Sequence, residues 1–269
     1  MKITLKKIWK SLPIGYRKTY YLLGERVSYL VCLLTGGQVS SHSIGKVPIS
    51  FIAKPYLKHS VAQQGEDLIL DRIITRILNW DISEPRLYVD VGAYHPVDCS
   101  VTYLLYCRGW KGIAFDPSLT THKSFRFWRK SDRFVQAVVG DQDNVKVEFF
   151  TPKTSVSDMC QTATKYPIDK DGCTVKKIDQ INLSQELSRQ GVNKVDVLNL
   201  DVEGGELEIL RSLDFNKFSP VIIAVEIHGN DVQKCLLTEE AQLILSKGYR
   251  LVGCTVITFF FVKESYIPL

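Results

Sequence analysis

The amino-acid sequence predicts an α/β fold: an open, mostly parallel sheet that closes on an antiparallel hairpin. Three observations carry this. Short apolar runs rich in β-formers recur at Leu87–Val91, Trp110–Phe115, Val195–Leu200 and Val221–Ile227, each as continuous as a strand buried on both faces. Segments of helical period separate them, the alternation of βα units. Each run ends in or beside a carboxylate (Asp90, Asp116, Asp201 and Glu226), and parallel strands put their carboxyl ends at one edge.

With 45% hydrophobic and 23% charged residues, the 269-residue chain has ordinary globular composition and material for a sizeable core. The net charge of +5 is unevenly placed. Residues 1–46 hold eight Lys/Arg against one acid, Glu25, which leaves about −2 for the rest. The body therefore lacks the basic footprint of a nucleic-acid binder. Seven scattered cysteines, without a C-x-x-C pair, suggest neither a disulfide framework nor a zinc site and fit a reducing cytoplasm.

Residues 1–59 read as a basic arm and linker, and 60–269 as the main domain. In the arm, Glu25-Arg26 interrupts the apolar run, and Val27–Leu34 is only eight residues long. A spanning helix needs roughly 20. Residues 1–34 read either as an amphipathic segment peripheral to an anionic membrane or partner protein, or as a helical lid on the domain. Gly45, Pro48 and Pro55 mark the linker.

Gln64–Trp80 carries apolar residues at helical spacing, with Glu66 and Asp67 in the first turn, where acids complement the helix dipole. Leu87–Val91 then delivers Asp90 and Gly92 into a turn. A dinucleotide site wants a second glycine for close approach to a pyrophosphate. Ala93-Tyr94-His95-Pro96 follows instead. S-adenosylmethionine (SAM) has no pyrophosphate and does not need that glycine, so the turn tilts the expectation from a nicotinamide oxidoreductase toward methyl transfer.

Thr102–Cys107 reads as a short helix stopped by Gly109. Asp116 stands 24 positions beyond Gly92, near where an acid binds ribose hydroxyls; a plain Asp-Pro turn is its other reading. A helix over Thr121–Lys130 precedes a strand from Arg133 to Val139, whose end places Asp141 either by an adenine or in a simple turn. Val145–Phe150 alternates like an edge strand. Thr151–Gly172 looks irregular and is expected to cover the substrate.

Val195–Leu200 leads through Asp201, Glu203 and Gly204-Gly205 into a helix from Glu206 to Leu213. Asp201 and Glu203 project to one side if extended geometry persists, as do Glu226 and His228. Glu206 and Glu208 read as dipole-complementing acids. The four groups Asp201, Glu203, Glu226 and His228 are expected to converge with Asp90 and Asp116, because parallel strands put their carboxyl ends at one edge; they read as functional because burying polar groups without partners costs about 1–3 kcal/mol each. A helix over Thr238–Lys247 precedes two strands, Tyr249–Cys254 and Val256–Val262, too closely joined to be anything but antiparallel.

The segments Gln63-Gln-Gly-Glu-Asp67, Val89-Asp-Val-Gly-Ala-Tyr-His-Pro96, Gly109-Trp-Lys-Gly-Ile113 with Asp116-Pro117, and Leu200-Asp-Val-Glu-Gly-Gly-Glu206 resemble the FkbM-type methyltransferases, in order and spacing, over roughly residues 60–262. The resemblance implies a class I methyltransferase (Rossmann-like) fold. Its sheet is seven-stranded and mostly parallel, with a terminal antiparallel strand and helices on both faces. It also implies a SAM-dependent O-methyltransferase acting on hydroxyls of sugars, glycans or related natural-product scaffolds. By matching motifs, Asp90, Gly92, Ala93 and Asp116 inherit cofactor binding, with Asp141 beside them, and Gln63, Glu66 and Asp67 become candidates for closing over the cofactor. His228, Glu203 and Asp201 are the candidate bases, in that order. The acids could instead hold Mg²⁺, a variant placed below the metal-free one. The other class of reading is a catalytically silent domain that binds through its basic arm.

Overall fold

The computed structural model describes residues 59–152, 173–229 and 231–268. The basic arm and residues 153–172 of the expected substrate-covering stretch lie outside them. The elements below belong to one structural unit, Val61–Leu269.

Seven strands form the main sheet: β1 (Leu87–Val91), β2 (Lys111–Phe115), β3 (Arg133–Val135), β7 (Val197–Leu200), β8 (Ile222–Glu226), β9 (Tyr249–Cys254) and β10 (Thr258–Lys263). Their order is β3-β2-β1-β7-β8-β10-β9. β3, β2, β1, β7 and β8 pair in parallel, while β10 runs antiparallel to both neighbours. Only residues 255–257 join β9 to β10, and a parallel neighbour needs a crossover of a dozen residues or more. The antiparallel strand thus sits inside the sheet edge, with β9 outermost. Strand order reverses between β1 and β7, which opens a crevice at their carboxyl ends.

The continuous apolar runs have a direct cause: both faces of the sheet are covered. Val89, Val91, Leu198, Leu200, Ile223, Val225, Phe259 and Phe261 point into one core. They pack there with residues of α4 (Leu183–Arg189), α5 (Glu206–Ser212) and α7 (Glu239–Ser246). Tyr88, Val197, Ile222, Ala224, Phe260 and Val262 point into the other, against α1 (Glu66–Arg72), its continuation Ile73–Ile77, and Leu105 of α2 (Tyr103–Cys107). Phe259-Phe-Phe261 alternates between the two cores, and each fully buried ring contributes about 1.5–3 kcal/mol. Side-chain caps start the helices as the sequence allows: Ser118 for α3 (Leu119–Trp128), Asn182 for α4 and Thr238 for α7. Asp231 caps the short α6 (Val232–Cys235).

Two expectations need correction. The helix expected over Gln64–Trp80 is α-helical only to Arg72; it widens to a π turn at Ile73–Ile77, where Leu78 N donates to Ile73 O. The single strand expected from Arg133 to Val139 is two. β3 pairs with β2, whereas β4 (Val138–Gly140) joins a second sheet of order β4-β6-β5, with β5 (Val145–Pro152) and β6 (Cys173–Asn182). The break arises because the partner of β4 is β6, about 40 positions on, and no local pattern announces it. β6 and α4 had no counterpart in the sequence reading. Val145–Phe150 is an edge strand as expected, but of this small sheet.

A buried network ties the main elements under the crevice. Arg129 is 1% exposed. Its guanidinium donates to Asp132 Oδ2 (2.7 Å), the Tyr88 hydroxyl (2.7 Å), Thr102 Oγ1 (2.9 Å) and Ser100 Oγ (3.2 Å), and stands 4.0 Å from Asp90. Asp132 also accepts from Tyr88 Oη and the Gly112 amide, whose missing Cβ leaves room for the Tyr88 ring. Asp90 accepts from Thr102 Oγ1 (2.5 Å) and Asn199 Nδ2 (2.9 Å), joining β1 to β7 and to the start of α2.

Removing one partner of a buried ion pair costs about 3–5 kcal/mol, because the remaining charge stays buried and uncompensated. Arg129→Met should lose about that much in urea denaturation. Arg250→Met, which breaks an exposed pair with Glu264, should lose under about 1 kcal/mol.

Candidate active site

The turn after β1 builds the first wall of the crevice. Gly92 (φ 84°) and Ala93 both donate their amides to Phe115 O, at 3.0 and 3.1 Å. A Cβ on Gly92 would lie 1.6 Å from the carbonyl oxygen of Asp201. Glycine is therefore required by the contact of the β1 and β7 ends as well as by its left-handed backbone. Tyr94 follows at φ 42°. Its amide donates to Asp116 Oδ2 (3.0 Å), and Asp116 Oδ1 accepts from Ser118 N (2.7 Å). Two backbone amides thus fix this carboxylate at the carboxyl end of β2.

The second wall comes from β7 and β8. Asp201 N donates to Val91 O, so the chain leaves β7 pressed against β1. The strand stops at Leu200, and Glu203 turns left-handed at φ 57°. Extended geometry does not persist from Asp201 to Glu203 as expected; the turn brings both carboxyls to the crevice instead. Glu206 makes that turn, accepting from Val202 N and Gly204 N, a local role more specific than complementing a helix dipole. Glu226 ends β8, with His228 two residues beyond. His228 Nε2 stands 3.7 Å from Glu203 Oε2 and 3.6 Å from Glu226 Oε1.

Between the walls is a cavity of about 350 Å³. Of the expected site residues, Gln63, Asp90, Gly92, Ala93, Asp116, Asp141, Asp201, Glu203 and His228 line it. Glu66 and Asp67 do not: they are buried at 2% and 3% exposure and hold the approach to α1. Glu66 accepts from Gln64 N and from the hydroxyls of Thr255 and Thr258; Asp67 accepts from Val61 N. Asp90 lies at the floor, with one oxygen engaged by Thr102 and the other by Asn199. Asp141 accepts from Gln180 Nε2 at 3.4 Å. Gln180 and Asn199 are lining residues that the sequence reading did not single out. A polar residue inside the apolar run Val197–Leu200 was a signal for Asn199; nothing local marks Gln180.

Three non-glycine residues with left-handed backbones, Tyr94, Cys99 and Glu203, line this one cavity. Such strain persists where surrounding structure over-determines it, as at functional sites. The electrostatics point the same way. Among the described residues the lining holds seven carboxylic acids and neither Lys nor Arg. Burial raises the carboxyl of Asp201 well above the ordinary aspartate range, and a hydrogen bond and charge repulsion from Glu226 add to it. Burial raises Glu226 and Glu203 as well; for Glu203 the neighbouring Asp201 adds to this and His228 opposes it.

The family model described as the methyltransferase FkbM domain matches residues 90–251. No curated protein gives a significant match. Among solved structures, one similar chain is the fibrillarin pre-rRNA processing protein of Methanococcus jannaschii, at 12% identity, 76% coverage of this chain, 75% of that one and TM-score 0.43. A TehB-like SAM-dependent methyltransferase from Corynebacterium glutamicum is 12% identical over 76% of this chain and 89% of that one, with TM-score 0.36. A precorrin-6y C5,15-methyltransferase from Geobacter metallireducens is 10% identical over 75% and 90%, with TM-score 0.39.

The raised Asp201 carboxyl has a consequence for stability. The folded chain keeps a proton that the unfolded chain releases above the ordinary value of 3.8. Stability from this group is therefore fully present below that pH and falls as pH rises toward the folded value. Asp201→Asn should match the parent in melting temperature near pH 4 and exceed it increasingly toward pH 7, by scanning calorimetry in metal-free buffer.

Proposed function

This chain belongs to the methyltransferase FkbM family, a premise from which we propose that it transfers the methyl group of SAM to a hydroxyl of a sugar, glycan or related natural-product acceptor. The observation that carries the reading is the composition of the cavity wall: seven acids and no Lys or Arg among its described lining residues. A dinucleotide would bring a pyrophosphate into that field. SAM brings a sulfonium and an ammonium, both cationic, so the residues present fit it.

When bound, SAM supplies a methyl group made electrophilic by the positive sulfur. The chain's own groups hold and orient it. Asp116, with its carboxylate fixed by the Tyr94 and Ser118 amides, accepts from the ribose hydroxyls. Asp141 accepts from the adenine amino group. Gly92 and Ala93 form the turn beneath, Asp90 supports it from the floor, and Gln63 closes the side. Glu66 and Asp67 contribute by anchoring the segment that carries Gln63. Positioning of this kind supplies up to about 7–11 kcal/mol in well-oriented reactions.

A hydroxyl also has to lose its proton as its oxygen takes the methyl. His228, half exposed at the cavity between Glu203 and Glu226, has the first place in accepting it, with Glu203 and Asp201 behind it. Residues 1–34 are assigned the peripheral contact with a membrane surface or partner protein. No helix among the described residues is long and apolar enough to cross a membrane.

Calorimetric titration of SAM should give micromolar binding that weakens by about 1.5–3 kcal/mol in Asp116→Ala, the range for hydrogen bonds to a charged group. Absence of binding by folded wild-type protein would overturn the cofactor assignment.

Methyl-labelled SAM incubated with pools of polysaccharides and hydroxylated small molecules should place label in a base-stable ether. Label in a base-labile ester or on nitrogen would overturn the acceptor class. His228→Ala should slow transfer by about 10²–10⁴-fold, the contribution of a positioned base, with SAM affinity unchanged.

A further inference from the structure

The geometry points to a divalent-cation site in the second wall of the cavity, formed by Glu203, Glu226 and His228. One oxygen from each carboxylate and one imidazole nitrogen lie within 4.8 Å of one another. The separations from His228 Nε2, 3.7 Å to Glu203 and 3.6 Å to Glu226, are a small side-chain adjustment from the roughly 3.0–3.5 Å that neighbouring ligands adopt around an ion with bonds of about 2.1 Å.

Proximity of acids alone would carry nothing. The second observation is Glu226 Oε2. Glu226 is 7% exposed and lines the cavity; its Oε1 is the oxygen nearest His228, and its other oxygen, Oε2, has no hydrogen-bond partner. A buried carboxylate oxygen left so is costly unless a cation or donor meets it. The described lining offers no Lys or Arg to do so. A divalent ion held by both Glu226 oxygens would meet the orphaned one and offset the repulsion among the acids.

The donor set names the ion class. Carboxylate oxygens suit Mg²⁺ and Mn²⁺, and an imidazole moves the preference toward the transition metal. Mn²⁺ fits both. The inference rests on the proposed reaction only for its purpose: a bound cation orients and acidifies an acceptor hydroxyl, with His228 then serving as its ligand rather than as the base.

Mn²⁺ titrated into the full chain and followed by electron paramagnetic resonance should show one site per chain with a micromolar dissociation constant. Glu226→Gln and His228→Asn, each checked for folding by circular dichroism, should weaken it at least tenfold. No binding by wild type at millimolar Mn²⁺, or undiminished binding in both variants, overturns the site. SAM calorimetry with chelator present separates the two readings. SAM binding without any Mn²⁺ site leaves the methyltransferase assignment intact and removes the cation. Mn²⁺ binding without SAM binding does the reverse.

Discussion

A guanidinium buried beneath the carboxyl ends of β1 and β2 is the constraint on which the rest of the structure depends. Arg129 comes from the end of α3, yet it reaches Tyr88 on β1, Ser100 and Thr102 before α2, and Asp132 ahead of β3. Its charge offsets part of the cost of burying Asp90 and Asp132. Through Asp90 the same network reaches Asn199 and so the neighbouring strand β7. The two strands whose separation defines the crevice are thereby locked at fixed height. The Gly92 turn presses against the Asp201 carbonyl as a result, with no space for even one methyl group.

From that fixed floor the two walls acquire different chemistry. On the β2 side, backbone amides hold Asp116 in place. On the β7–β8 side, Asp201, Glu203, Glu226 and His228 crowd together, and burial pushes all three carboxyls toward their protonated forms. With Asp116, Asp141 and Glu208 also in the lining and neither Lys nor Arg among its described residues, the cavity favours positive ligands and penalises anionic ones. It suits the sulfonium cofactor of the FkbM family and explains why the missing second glycine of a dinucleotide turn is no defect here.

Much of this was legible along the chain. Strands buried on both faces must be apolar throughout, so β1, β2, β7 and β8 announced themselves, and each acid at a strand end marked the edge that carries the cavity. The hairpin of β9 and β10 followed from its short connection. Glu66 and Asp67 were less legible: their place in a first turn was correct, but their carboxylates anchor Val61, Gln64 and the hydroxyls near β10. A motif can mark a site's border without all of its residues facing the ligand. Glu203 reached the cavity by a left-handed turn that alternation along a strand does not describe.

What the sequence by itself determined is the set of local decisions: which segments are strands, where glycine and capping residues stop and start helices, and which end of the sheet collects the acids. These follow from burial periodicity and backbone preference, which act over a few residues. The tertiary structure alone decided the split of β3 from β4, the pairing of β4 with β6, the engagement of both Asp90 oxygens, and the placing of His228 between Glu203 and Glu226. Each of these depends on a partner between two and more than a hundred positions away. Hydrogen bonds and charge compensation are settled by distance in space, which a linear pattern does not encode.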